Sequence, residues 1–367
     1  MSRSSVAITA LPTLLFAFAG AMAMNGGSAA AASGRMEALH VFKGTPDGNY
    51  PSNRLLPLAG AYYGAVAYGG QVCAATPLGC GAIFEVFPGP HGTVEKLIYR
   101  FKGQPSDGLT PGSGALIADK SGALYGTTIG GGASIGGTVF AYTIATGAKR
   151  IVYSFTDGPS DGAASHASLI EVNGLLYGTT TEGGPATEGS VFAVDPNTGA
   201  EKIIYFFTGG SDGGVPYGGL IDIGGLLYGT TTTGGSNACL GGCGTVFSVN
   251  PATGTETTLY SFQGGTDGAN PSGDLLKVGN LLYGTTGGGG GACSAVTGCG
   301  TVYSINLQTA QEKILYAFQN GTDGAFPVRS LIDYRGTLYG TTYQGGVDRN
   351  YKYPCNFGCG TIYSYTP

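Results

Sequence analysis

Leu282-Tyr283-Gly284-Thr285-Thr286 is one of five intact copies of a single phrase. The others are Leu124–Thr128, Leu176–Thr180, Leu227–Thr231 and Leu338–Thr342, and a worn sixth copy stands at Tyr62–Val66. Before each copy comes a Gly-x-x-Asp-Gly segment or a close variant. After it comes a Gly-rich stretch that ends in Gly-Thr-Val-Phe or something similar, such as Gly300-Thr301-Val302-Tyr303. Self-similarity at a period of roughly 20 to 60 residues marks an architecture of stacked identical units.

The fourth unit, Tyr217 to Gln263, shows what each copy encodes. Gly218–Ile223 is a short apolar run, and Gly224-Gly225 then turns the chain into Leu226–Thr231. The other units turn at the same place with Ser121-Gly122, Asn173-Gly174, Gly279-Asn280 and Arg335-Gly336. Two-residue turns of this kind favour positive φ and specify tight antiparallel hairpins. A long Gly-rich loop leads to Gly244–Val249, rich in β-branched and aromatic residues. A second short turn, Asn250-Pro251-Ala252-Thr253-Gly254, precedes the closing strand Thr257–Phe262. No segment has helical periodicity.

Each unit thus reads as a four-stranded antiparallel meander, the unit of a β-propeller. Six units predict an all-β, six-bladed propeller. The chain opens on a closing strand (Ala38–Lys43) and stops after the third strand of the last unit (Gly360–Thr366). The first strand is therefore expected to complete the last blade and join the ends of the ring, removing an exposed edge. An open β-solenoid is the alternative, but a unit of about 54 residues is far longer than a β-helix coil.

Residues 1–32 read as a signal peptide, with Arg3 as the positive start, an apolar Val6–Met24 and cleavage after Ala23 or near Ala32. An uncleaved membrane anchor is the competing reading. Residues 36–367 read as a single propeller domain, and nothing in them is apolar enough over a sufficient length to span a bilayer. Gly supplies 70 of 367 residues and charged residues only 11%, yet 42% are hydrophobic and the glycines recur at fixed offsets, which excludes a disordered chain. With 17 basic against 22 acidic residues there is no basic patch, and nucleic acid is excluded as a partner.

The eight cysteines fall in four pairs: Cys73 with Cys80, Cys239 with Cys243, Cys293 with Cys299, and Cys355 with Cys359. Each pair sits in the long loop after the Tyr-Gly-Thr-Thr strand. Even count, close spacing and an export signal argue for four local disulfides in a secreted or periplasmic protein. Each closes a short loop, for about 2 kcal/mol of stabilisation by chain entropy. A four-thiolate zinc site shared by neighbouring loops is the alternative.

In such a meander the tight turns gather on one face, while the long cysteine loops and Asp-Gly segments gather on the other. Long loops on a rigid scaffold are where binding sits. Asp47, Asp107, Asp161, Asp212, Asp267 and Asp323 occur in every unit, which favours a turn-capping role over a carboxylate ring for a cation or sugar. The nine-residue period of calcium-binding toxin repeats is absent. Positions at which the units differ are more informative. Just past the Asp-Gly turn they carry Asn53 and Arg54, His166, Tyr217, Asp274 and Arg329, a polar set expected around the mouth of the central channel.

Catalytic constellations are thin. His40, His91 and His166 stand at three different places in the unit, so the spacing assembles no His-based metal site, and no cofactor is expected. Nucleophile elbows, His-Glu-x-x-His and phosphate loops are missing. Two carboxylates suffice for a glycosidase, and the sparse acids Glu182, Glu188 and Asp274 keep that option open.

The run Leu259-Tyr260-Ser261-Phe262, Gly265-Thr266-Asp267-Gly268-Ala269-Asn270-Pro271, Leu282–Thr286 and Gly300-Thr301-Val302-Tyr303 resembles the Gloeo/Verruco-type tandem repeat of the choice-of-anchor repeat proteins. The resemblance covers about residues 38 to 366, with order and spacing kept. It implies an exported bacterial protein from a family without an established activity. Its members often end in an anchoring module, and this sequence shows none after its last repeat. The expected function is a monomeric, non-enzymatic binding propeller for a carbohydrate or protein, acting through the long-loop face. The alternatives are a polysaccharide-active lyase or hydrolase at the channel mouth and a structural or adhesive envelope protein.

Overall fold

The computed structural model describes residues 40, 42–51, 54–73, 75–89, 92–112, 114–291, 293, 298–327, 330–346 and 360–367. The signal segment, Asn53, His91, Arg329, Cys355 and Cys359 lie outside them. The described chain is all-β, with six antiparallel sheets arranged as the blades of a propeller. In the fourth blade the order is Ile221–Ile223, Leu226–Thr231, Thr245–Val249 and Glu256–Ser261, each strand paired with the next.

Four of the five residues of the repeated phrase each have a task. Its Leu is buried at positions 124, 176, 227, 282 and 338. Its Gly makes room for the aromatic ring on the third strand: a Cβ at Gly178 would sit 2.7 Å from Phe192 Cζ. The first Thr hydroxyl donates to the innermost segment of the next blade, Thr127 to Ala167 O (3.2 Å) and Thr179 to Gly218 O (3.1 Å). The second Thr meets the first residue of the third strand, as in Thr180–Ser190 and Thr231–Thr245, both 2.8 Å. One short phrase thus supplies core, clearance and two crosslinks.

The blades interlock through an aromatic relay. The closing-strand Phe of one blade packs edge-on against the third-strand ring of the next: Phe101–Phe140, Phe155–Phe192, Phe207–Phe247, Phe262–Tyr303 and Phe318–Tyr363, with centroids 4.9 to 5.1 Å apart. Phe42 makes the same contact with Phe84 at 5.2 Å. The N-terminal segment therefore sits against the first blade as a closing strand does. Its expected pairing with the last blade spans Ala38–Lys43, of which Ala38, Leu39 and Val41 lie outside the described residues. Burying one such ring stabilises by about 1.5–3 kcal/mol.

Two features depart from the simple meander. In most blades the inner strand is split, for example Ala269–Pro271 and Leu276–Val278, both pairing with Leu281–Gly288. At the split, a non-Gly residue three places after the Asp takes positive φ in all six blades: Tyr50, Thr110, Ala164, Val215, Asn270 and Phe326, at 52 to 56°. For β-branched Thr110 and Val215 this conformation is costly. It aims the amide at the preceding blade's long loop, with Thr110 N donating to Cys80 O and Val215 N to Glu188 O. The strain is thus held by a blade-to-blade hydrogen bond. At four joints a Pro follows that covers the Gly opening the neighbouring third strand: a Cβ at Gly244 would stand 2.7 Å from Pro271 Cδ.

The closing strands also carry a bulge opposite the third strand, at Ile98, Val152, Ile204, Leu259 and Leu315. One extra residue reverses the alternation of side chains. Glu256 therefore points back to the preceding blade, and Tyr260 and Phe262 point on to the next.

Candidate functional site

Three of the variable residues past the Asp-Gly turn fall on consecutive blades. His166 of the third blade stacks on Tyr217 of the fourth, with ring centroids 4.4 Å apart and planes 26° from parallel. Tyr217 keeps 37% of its surface exposed. His166 is largely enclosed, its Nδ1 is buried without a hydrogen-bond partner, and burial pushes its pKa down to about 4. The imidazole is therefore neutral at neutral pH. On the fifth blade, Asp274 Oδ1 accepts from Gly219 N at 2.6 Å, two residues from Tyr217, and Asp274 N donates to Ser330 Oγ at 3.3 Å. Asp274 is thus both a polar group of this arc and a tie between blades. Arg54 is exposed on the first blade. Such an arc offers a flat aromatic surface flanked by a neutral nitrogen and a carboxylate.

The long loops also carry apolar tips. Leu240, at the tip of the Cys239–Cys243 loop, is fully exposed, and Ile135, Val72 and Leu78 are each more than half exposed. Disulfides join Cys73–Cys80, Cys239–Cys243 and Cys293–Cys299, with Cα atoms 5.1 to 5.9 Å apart. Cys80, Cys243 and Cys299 are fully buried. No free thiol remains among the described cysteines. Where the spacing predicts four bridges, the structure therefore shows three. The fourth, between Cys355 and Cys359, falls on residues outside the described ones and stays an expectation from sequence.

A second set of polar groups lies between the blades. Five of the six Asp residues of the Asp-Gly segments accept from the Tyr hydroxyl of the preceding closing strand: Tyr99–Asp107, Tyr153–Asp161, Tyr205–Asp212, Tyr260–Asp267 and Tyr316–Asp323, all 2.7 to 3.0 Å. Each also accepts a backbone N–H just past the closing strand, such as Thr208 N to Asp212 at 2.8 Å. Behind the Asp stands the back-facing residue of the next closing strand. At Asp107 this is Lys149, ion-paired with the carboxylate. At Asp161, Asp212 and Asp267 it is Glu201, Glu256 and Glu312, each pushed up to about 7 by burial and then by the neighbouring Asp. At Asp47 the Tyr is replaced by His40 and the back-facing residue is Glu95, pushed up by burial.

The sequence matches the Gloeobacter/Verrucomicrobia repeat over residues 28–241 and 240–367. The chain belongs to this repeat family. No match is found among the curated proteins. Among solved structures, the extracellular domain of a one component system from B. thetaiotaomicron is 17% identical with a TM-score of 0.50, over 85% of this chain and 36% of that one. An oligogalacturonate lyase in complex with manganese is 12% identical with a TM-score of 0.48, over 84% and 71%. A nidogen/laminin complex gives 13% and 0.45, over 72% and 83%. At these identities the likeness concerns fold alone.

On this Gloeobacter/Verrucomicrobia repeat chain the turn face has a hollow of about 670 Å³ between the second and third blades, lined by Asp119, Lys120, Glu171, Asn173, Pro196 and Asn197 among others. Its acids are engaged by their own turns. Asp119 accepts from Ser121 N, Ser121 Oγ and Ala123 N, and Glu171 accepts from Gly174 N. Turn closure accounts for those groups, which leaves the arc with the larger share of unengaged chemistry. The sequence reading missed the back-facing Glu and Lys residues. Their signal is positional: each stands four residues before the closing-strand Tyr, where alternation alone reads as an exposed face.

Proposed function

We propose that this protein is an exported, monomeric, non-enzymatic binding propeller that takes a carbohydrate ring on its long-loop face, at the arc of His166, Tyr217 and Asp274. The observation that carries this reading is the His166–Tyr217 stack: a half-open aromatic surface beside a buried, unpartnered imidazole nitrogen. A sugar presents C–H bonds to an aromatic face and hydroxyls to the groups beside it. The Asp274 carboxylate accepts from one of those hydroxyls, and hydrogen bonds to a carboxylate are the stronger kind. Arg54, exposed on the first blade, offers a cation on the same ring for acidic sugars. The apolar tips at Leu240 and Ile135 widen the surface, and close-set disulfides keep such loops in one shape. Disulfides are compatible with an extracellular location, and residues 1–32 supply the export signal in this reading.

A glycan array probed with the mature protein, followed by product analysis on each hit, tests the reading. Binding without turnover, weakened at least tenfold by Tyr217→Ala, is the expected result. Turnover of a bound glycan would replace it with the lyase or hydrolase reading. Absence of glycan binding would move the site to a protein partner.

A further inference from the structure

The six blade joints share one plan, and the first departs from it in a way that changes its chemistry. In five joints the group facing the Asp from the preceding closing strand is a Tyr hydroxyl. At the first it is His40, whose Nε2 lies 3.3 Å from Asp47 Oδ2 and 4.0 Å from Glu95 Oε2. One donor atom from each of His40, Asp47 and Glu95 falls within 4.8 Å of the other two. The Glu95 side chain is only 10% exposed, and its Oε1 is buried with no hydrogen-bond partner. A carboxylate enclosed in this way beside a second one needs a proton, as Glu201 and Glu312 do with their own unpartnered Oε1, or a cation, and among the described joints this pair alone has an imidazole nitrogen beside it.

The neighbouring joint shows what that charge looks like when the sequence supplies it. There Lys149 occupies the position of Glu95, and its ammonium rests on Asp107 among the rings of Tyr99, Phe101 and Phe140. Among the described residues, no lysine takes that place at the first joint, and Arg100 acts on Glu95 only through space, with no ion pair between them. The joint has instead an imidazole nitrogen and two carboxylates, a donor set that suits zinc or manganese and that a phenol does not reproduce at neutral pH. Donors about 2.1 Å from a cation lie about 3.4 Å apart at tetrahedral angles, against 3.3 Å for His40–Asp47 and 4.0 Å for His40–Glu95.

We infer that His40, Asp47 and Glu95 form a binding site for one divalent transition-metal cation, which fastens the N-terminal segment to the first blade. The three ligands come from three separate stretches: the opening segment, the first Asp-Gly turn and the first closing strand. The site is structural in consequence, because His40 lies two residues from Phe42, whose ring packs against Phe84 at the same joint. Its position between blades places it apart from the His166–Tyr217 arc, and the inference does not depend on what that arc binds. The three histidines give no hint of it in sequence, because two of the three donors are carboxylates.

The test uses the full mature chain, stripped with chelator and titrated separately with zinc and manganese by calorimetry, with thermal melting in parallel. The expected result is one equivalent of zinc or manganese bound and a higher Tm with metal. Glu95→Gln, which keeps shape and removes the charge, and His40→Gln should each weaken binding more than about tenfold. Cobalt substitution should give a visible spectrum that changes in His40→Gln. Lys149→Met should leave the stoichiometry unchanged. A wild-type chain that binds neither metal, or a folded Glu95→Gln that binds as tightly as wild type, overturns the assignment.

Discussion

The Asp107 and Asp212 joints occupy the same place between successive blades and are built from the same strands, yet they balance charge in opposite ways. At Asp107 the residue behind the carboxylate is Lys149, nearly fully buried and ion-paired. At Asp212 it is Glu256, a second acid, which burial and the Asp push toward its protonated form. The fold tolerates both because the bulge and the Tyr–Asp hydrogen bond fix the geometry, and the charge is settled afterwards by a lysine or by a proton. The difference teaches that the scaffold of this repeat is specified by shape, with electrostatics varying from joint to joint.

The sharpest way to break the comparison is to remove the lysine. Lys149→Met leaves the Asp107 carboxylate buried without its cation and should cost about 3–5 kcal/mol, read as a lower urea midpoint. The equivalent Glu256→Met should not destabilise at pH 8, because it removes an unfavourable neighbour. Equal losses in the two variants would remove the distinction.

Next in size is the response to pH. Glu201, Glu256 and Glu312 have folded-state values of about 7, above their ordinary value of 4.5. Between those values the folded chain binds more protons than the unfolded one, so stability falls as pH rises. Their contribution is complete below pH 4.5 and is lost as pH passes through about 7. All three are only half-buried, and the discounted loss is about 1 kcal/mol each. His166 acts in the opposite sense: its value of about 4 lies below the ordinary 6.5, so its contribution is present above pH 6.5 and lost as pH falls toward 4. Denaturation midpoints should therefore drop as pH rises from about 4.5 to just past 7, the three Glu residues outweighing the acid limb that His166 contributes between about 4 and 6.5. The triple variant Glu201→Gln, Glu256→Gln, Glu312→Gln should flatten that limb and leave the acid limb in place.

Smaller effects sharpen the picture of what is shared. Replacing Cys239 and Cys243 together by Ser should cost about 2 kcal/mol and leave the blades intact by circular dichroism, since so short a loop gains little from closure. Thr179→Val removes the hydroxyl that reaches Gly218 O and should cost about 1 kcal/mol. A null result there would assign the blade contact to the aromatic relay alone.

The propeller was legible because the repeat states it openly: Leu-Tyr-Gly-Thr-Thr, its tight turn and its Gly-rich loop fix strand order and count. The cysteine bridges were legible for the same reason, since each described pair shares one loop of its own unit. The left-handed residues were not legible. Thr110, Val215 and Phe326 carry no glycine to announce a positive φ, and the hydrogen bond that holds each one comes from another blade. The candidate arc was half legible. Variation between copies pointed to His166, Tyr217 and Asp274, but not to the stacking of the first two or to the tie that engages the third. The joint residues were hidden because the bulge reverses their facing, and alternation read from sequence alone places Glu201 and Tyr205 on one side.

The aromatic relay has a consequence for how such a chain changes length. A closing Phe belongs to one blade but is housed by the next, so each copy of the repeat carries a key for its successor and a lock for its predecessor. Duplicating or deleting one whole copy adds or removes both halves together. The ring can therefore be rewritten in whole units without inventing a new contact surface, and a break inside a unit leaves a key with no lock.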